Sequence, residues 1–257
     1  MLLNDTPLTE VEKFTYLGST ILKNGSIDAE ISKRVQSAAT AFGKLRRRLW
    51  DQRGIHLKTK MKVYRAIVVP TLLYSSETWT LYRRHFKRLD KLQQRHLRQL
   101  MNISWKDHVS NFEVLERAEM PSVEEIIITC QLRWTGHVAR MEDSRLPKAV
   151  FYGELKEGSR KVGAPRLRYK DVFKRHLKNT KEYDNWREKI KDRVTWRKVV
   201  AGAADATRKR NVQLWTEKRL CKLTPAPRPT EAAYRCGTCN KTFKAAIGLS
   251  SHKRHGH

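Results

Sequence analysis

Pro121-Ser-Val-Glu-Glu-Ile-Ile-Ile-Thr-Cys-Gln-Leu-Arg-Trp-Thr-Gly-His-Val-Ala-Arg-Met141 is the stretch that decides the fold class. Ser122 and Glu125 stand three residues apart ahead of an apolar run, a capping-box pattern in which each side chain serves the other's backbone N–H. Val123, Ile126, Ile127, Cys130, Trp134, Val138 and Met141 then recur at three- and four-residue steps, which predicts a helix with one buried face. Arg133 and Arg140 fall outside that stripe. Cys130 lies on it, and reads as a small core residue rather than a reactive thiol.

The same period extends outward in both directions. Upstream, residues 83–101 predict a helix with Phe86, Leu89, Leu92, His96 and Leu100 inside. A run from Leu57 carries Met61, Tyr64, Ile67 and Val68, and Pro70, which lacks a backbone N–H, should end or kink it. Residues 28–50 predict another helix, with Ile31, Val35, Ala38, Phe42, Leu45 and Leu49 on one side. Lys44, Arg46, Arg47 and Arg48 crowd its C-terminal turns, where cations suit the helix dipole. Ahead of it lie a short extended piece, Phe14-Thr-Tyr-Leu-Gly18, and a turn at Asn24-Gly25. Downstream, a Gly- and Pro-punctuated loop over 156–165 precedes basic helical segments bearing Tyr169, Val172, Phe173, Leu177, Trp186, Trp196 and Val199. Past Ala201 the apolar period fades, and Thr224-Pro-Ala-Pro-Arg-Pro-Thr230 reads as a stiff extended linker. The expected fold is mainly α: a basic helical body with a short extended N-terminal segment, a Pro-rich linker and a C-terminal ββα zinc finger.

Charge narrows the partners. The 257 residues hold 54 Lys and Arg against 26 Asp and Glu, a formal net charge of +28. A field of that size attracts polyanions, and nucleic acid is the first of them. No apolar run approaches the roughly 20 residues that cross a bilayer. The N-terminal Met-Leu-Leu-Asn-Asp-Thr-Pro has neither a basic n-region nor a long apolar h-region. The expectation is an intracellular, nuclear protein without a membrane partner.

The terminal module is read from spacing. Cys236 and Cys239 are separated by two residues, and twelve more separate Cys239 from His252, with Phe243 and Leu249 where a two-Cys, two-His finger keeps its small core. A hairpin presents two thiolates and a helix two imidazoles, and the metal replaces the core that so short a chain lacks. The cofactor expected is zinc. His255 follows His252 after two residues and His257 after four; fingers keep three to five, which favours His257 as fourth ligand. Cys221, beside the linker, has no partner in the pattern. Were the helix to enter a major groove, Ala245, Gly248 and Ser251 would face the bases, and none makes a bidentate base contact. Lys241, Lys244, Lys253 and Arg254 add charge without base choice, so DNA or RNA is expected to bind with weak sequence preference. Arg46, Arg47 and Arg48 are the body's candidates for phosphate contacts. Arg46–Arg48 and the triplet Arg208-Lys-Arg210 read equally as import signals, nucleic-acid contacts or solvated helix faces. His137 reads as a buried hydrogen-bonded histidine or a phosphate contact rather than a base, and most of the seven tryptophans as core.

Five segments in order, Phe14-Thr-Tyr-Leu-Gly18, Tyr74-Ser-Ser-Glu-Thr-Trp79, Arg133-Trp-Thr-Gly-His-Val-Ala-Arg140, Gly163-Ala-Pro-Arg166 and Asp192-Arg-Val-Thr-Trp-Arg197, resemble the C-terminal region of endonuclease–reverse transcriptase polyproteins of non-LTR, LINE-like retrotransposons. The resemblance covers nearly the whole chain, the finger included. It implies a thumb-like region over 1–105, a post-thumb region over 106–220, a linker over 221–233 and the finger over 234–257, with helices that grip template and primer. The family's polymerase needs paired aspartates to hold two metal ions, and no adjacent Asp-Asp pair occurs in the chain. The expectation is therefore a nucleic-acid-binding remnant with no catalytic residues. A truncated gene model of an active RNA-directed DNA polymerase, or a host regulatory protein that binds protein through its finger, are the alternatives. Upstream genomic sequence separates the first of these from a remnant.

Overall fold

A computed structural model describes residues 10–153, 163, 166–178, 180, 184–223, 234–243 and 246–255, together with the backbone of two dipeptide strands, β1 (Leu2–Leu3) and β2 (Thr6–Pro7). The linker 224–230, most of the 156–165 loop, Lys244, Ala245 and His257 lie outside the described residues. The chain divides into two compact units, Met1–Arg210 and Asn211–His257. As expected, the architecture is mainly helical, with three two-stranded sheets among the described residues.

The extended N-terminal piece is half of a hairpin, β3 (Lys13–Tyr16) against β4 (Ser19–Leu22). Leu17 and Gly18 between them both have positive φ, 46° and 82°. Those are the conditions of a two-residue turn whose twist matches the strands, and Gly18 meets them without a Cβ penalty. A buried ion pair on α1 (Asp28–Lys44) fixes the hairpin's place. Glu30 accepts from Thr20 N at 2.6 Å and from Arg34 Nε at 2.6 Å, and Arg34 donates to Gly18 O at 2.9 Å.

The helix predicted over 28–50 changes its winding. After Lys44 it opens into a π turn, Arg46–Trp50, in which Asp51 N reaches Arg46 O at 2.9 Å. Trp50 stacks on Phe42 at 5.1 Å and its indole N–H bonds Phe42 O at 2.7 Å, which satisfies a carbonyl near the helix end. Pro70 is accommodated in the same manner. A second π turn, Tyr64–Val68, lies between α2 (Leu57–Val63) and α3 (Val69–Leu72), so the missing N–H falls in the first turn of α3, where it costs little.

Two cores fill the first unit, and α6 (Val123–Ala139) serves both. The first gathers α1, the two π turns, α4 (Arg83–Leu100), α5 (Asn111–Arg117) and the start of α6 through Val123 and Ile127. The second gathers Ile128, Leu132 and Val138 of α6 with α7 (Leu146–Tyr152), α8 (Tyr169–Lys178), α9 (Trp186–Lys189) and the first turns of α10 (Arg193–Leu223). The capping box is present: Ser122 Oγ accepts from Glu125 N and Glu125 Oε1 from Ser122 N, each at 3.3 Å. Serving two cores moves the buried face away from the predicted stripe. Ile126, Cys130 and Trp134 are only half-buried, while Gln131, Thr135 and Gly136 are deep.

That polar row is satisfied. Gln131 donates to Ser76 O (3.1 Å) and Trp79 O (2.8 Å) and takes His176 Nε2 at 2.7 Å; Thr135 meets Tyr169 Oη at 3.2 Å. Trp196 donates to Leu132 O at 2.8 Å, and a Cβ on Gly136 would press into its indole. Arg140 reaches Ile190 O at 2.7 Å, and Arg166 reaches Asn24 O. Of the five segments quoted from the sequence, that over 133–140 forms the end of α6, those over 74–79 and 192–197 are tied to that helix, and Arg166 reaches the loop beside the hairpin. His137, on the opposite side of the helix, is exposed, its ring 5.6 Å from that of Trp134; it is no core histidine. Trp50, Trp79, Trp186 and Trp196 are core, while Trp105 is 78% exposed.

Candidate metal centre and nucleic-acid surfaces

In the second unit β5 (Tyr234–Arg235) pairs with β6 (Thr242–Phe243), and α11 (Ala246–His255) follows. The turn between the strands is built by the cysteine spacing. Asn240 N bonds Cys236 O and Cys236 N bonds Lys241 O, both at 2.9 Å, and Asn240 takes φ 58°, which asparagine tolerates well. This curls the backbone around Cys236, whose thiol is held down to about 6 by the backbone N–H of Cys239 and then of Thr238. Phe243 packs on the helix, its ring 4.9 Å from that of His252, and lies against Gly248.

Cys236 is buried, Cys239 exposed and His252 between the two, and their ligand atoms all lie within 4.8 Å of one another. Cys239 Sγ and His252 Nε2 are 3.1 Å apart. Ligands of a tetrahedral ion bound at about 2.0–2.3 Å stand roughly 3.3–3.8 Å from each other, and these three atoms are close enough to that spacing that they could hold a single metal ion. Spacing alone had named all three. His257 lies outside the described residues, so the fourth ligand rests on sequence.

The predicted phosphate contacts divide. Arg46, Arg47 and Arg48 are all exposed on the π turn, beside an open depression of about 530 Å³ that they share with Gly43, Lys44 and Asp51. Arg46 is paired to Asp51 at 3.3 Å. Lys253 and Arg254 are exposed on α11, and Lys244 is outside the described residues. The triplet at 208–210 is engaged: Arg208 pairs with Glu125 at 3.0 Å, Arg210 with Glu124 at 2.9 Å and Lys209 with Asp205 at 2.8 Å. Two of those three bonds tie α10 to the start of α6, so a structural role accounts for them.

Sequence reasoning missed a larger basic surface. Arg84, Lys87, Arg88, Lys91, Arg95 and Arg98 recur along α4 at three- and four-residue steps. At 100° per residue they span about 100° of arc. The signal that could have found them is the complement of the apolar period set by Leu89, Leu92 and Leu100.

No protein-family model and no solved structure matches the chain. A Caenorhabditis elegans protein described as uncharacterized and transposon-derived is 25% identical over 209 residues, covering 76% of this chain and 72% of that protein. The similarity supports a transposon origin for the chain.

Proposed function

We propose that this chain is the C-terminal remnant of a retrotransposon reverse transcriptase polyprotein, a nuclear protein that binds zinc and nucleic acid and has no catalysis of its own. The observation that carries the proposal is the meeting of Cys236, Cys239 and His252 at the end of a chain of net charge +28. Zinc, held by those three and His257, would supply folding energy to the small unit rather than chemistry. The field of the body would supply affinity for DNA or RNA backbones, largely blind to sequence. The likeness to a transposon-derived protein and the five motif segments support the origin; the missing Asp-Asp pair supports the lack of polymerase chemistry.

The test pairs binding with extension. The zinc-loaded chain should retard labelled DNA and RNA of unrelated sequences with affinities within about tenfold of each other, as backbone-dominated binding requires, and should extend no annealed primer. Template-dependent nucleotide incorporation by rigorously purified chain, or failure to bind either nucleic acid at low salt, would overturn the proposal.

A further inference from the structure

The cations of α4 form a row along one face of a single helix. Several exposed cations elsewhere pair with carboxylates: Arg117 with Glu113, Lys209 with Asp205, Arg168 with Asp171, Arg46 with Asp51. On α4, Arg84 is held by Asp28 at 2.8 Å, but Lys87, Arg88, Lys91, Arg95 and Arg98 have no carboxylate partner among the described residues. Arg88 donates to Ser32 Oγ at 2.8 Å, and Arg98 to Val109 O and Asn111 Oδ1 at 2.8 and 2.9 Å. These bonds orient the two guanidinium groups and leave their charges uncompensated. Asp90, the one acidic residue of the helix, is half-buried; its carboxyl is pushed up, chiefly by burial and then by Glu124, against the pull of Arg83. Like charges at i,i+3 and i,i+4 work against a helix, and here they recur along four turns. The row persists because the opposite face is locked into the core by Leu89, Leu92, Leu97 and Leu100.

We propose that the outward face of α4, through Lys87, Arg88, Lys91, Arg95 and Arg98, is the surface on which the chain seats the phosphate backbone of a nucleic-acid duplex. The inference rests on the nucleic-acid reading above and gives it a place. From Lys87 to Arg98 the row is about 17 Å long at 1.5 Å per residue. A duplex presents about one phosphate charge per 1.7 Å of axis, so that length faces roughly ten charges, enough to engage all five cations. The row has no aromatic side chain, hence nothing on which the bases of a single strand would stack. It also has no Asn or Gln in its arc to read a base edge, so it recognises backbone.

The experiment uses the full zinc-loaded chain with DNA and RNA duplexes of one sequence, the matching single strands, and phosphatidylserine–phosphatidylcholine vesicles, across a salt series. Replacing Lys87, Lys91 and Arg95 by Gln should flatten the slope of log affinity against log salt for duplex by up to about 2.7 units, at about 0.9 per phosphate contact. Lys58, Lys62 and Lys106 are exposed cations elsewhere; replacing them by Gln removes the same charge and should change the slope by less than about one unit. The charge-preserving K87R/K91R/R95K should keep the wild-type slope, which separates charge from fold. An unchanged slope in the first variant, an equal loss in the second, or an effect confined to single strands or vesicles would overturn the inference while duplex binding by the unaltered chain upheld the broader reading. No binding of the unaltered chain to any nucleic acid would remove both.

Discussion

Gly136 shows how one residue carries a packing decision. Its missing Cβ leaves room for the Trp196 indole, which is 2% exposed and tethered to Leu132 O, so the ring has nowhere to go. Gly136→Ala gains about 1 kcal/mol of helix propensity, but overpacking a filled core costs about 1–3 kcal/mol. The second term should win. The expected outcome is a urea midpoint lowered by the equivalent of about 1 kcal/mol for Ala and more for Val; a raised midpoint for Ala would show that Trp196 can move. The glycine was visible in the Trp-Thr-Gly-His segment, yet its reason was not. Position 136 and position 196 are sixty residues apart, and nothing local announces that they meet. The same holds for Glu30 and Arg34: i,i+4 spacing suggests a pair, but only the hairpin's Thr20 N–H and Gly18 carbonyl explain why it is buried.

Elements were legible where the period was local. Ser122 and Glu125 announced the start of α6, and the predicted helix over 83–101 matches α4 to within a residue. What the period missed were changes of winding and of sidedness. The π turns at Arg46–Trp50 and Tyr64–Val68 keep an apolar spacing close to that of an α-helix, and a helix shared by two cores has no single stripe to find. The terminal ββα unit was the most legible element because its Cys and His spacing is the one that holding a metal ion would require. With only Tyr234, Phe243 and Leu249 as apolar filling, its fold should depend on an ion worth on the order of 10–16 kcal/mol near neutral pH. Cobalt added to the metal-free chain should therefore give the visible spectrum of a two-sulfur, two-nitrogen tetrahedral site. Cys239→Ser or His252→Ala should abolish it, and His257→Ala should weaken it far more than His255→Ala. If the last two were reversed, His255 would be the fourth ligand; if no metal bound in proportion to protein, the finger reading would fall.

On the scale of the whole molecule, charge is the dominant fact. No helix among the described residues is long and apolar enough to cross a membrane, and part of the charge forms a row along α4. The total of +28 was readable at once, but which cations are free was not. Arg208 and Arg210 look like a basic tract in sequence and prove to be struts between helices, whereas the α4 row looks like ordinary amphipathic filling and, beyond Arg84, has no carboxylate partner among the described residues. The role proposed for this field is to hold nucleic acid by its backbone. The most direct measurement is the slope of log association constant against log potassium chloride for the full chain on a DNA or RNA duplex. If the five cations proposed on α4 carry the contact, at about 0.9 per phosphate, the slope should be about −4.5 and the same for unrelated sequences. A slope near zero, or binding to one sequence only, would contradict it.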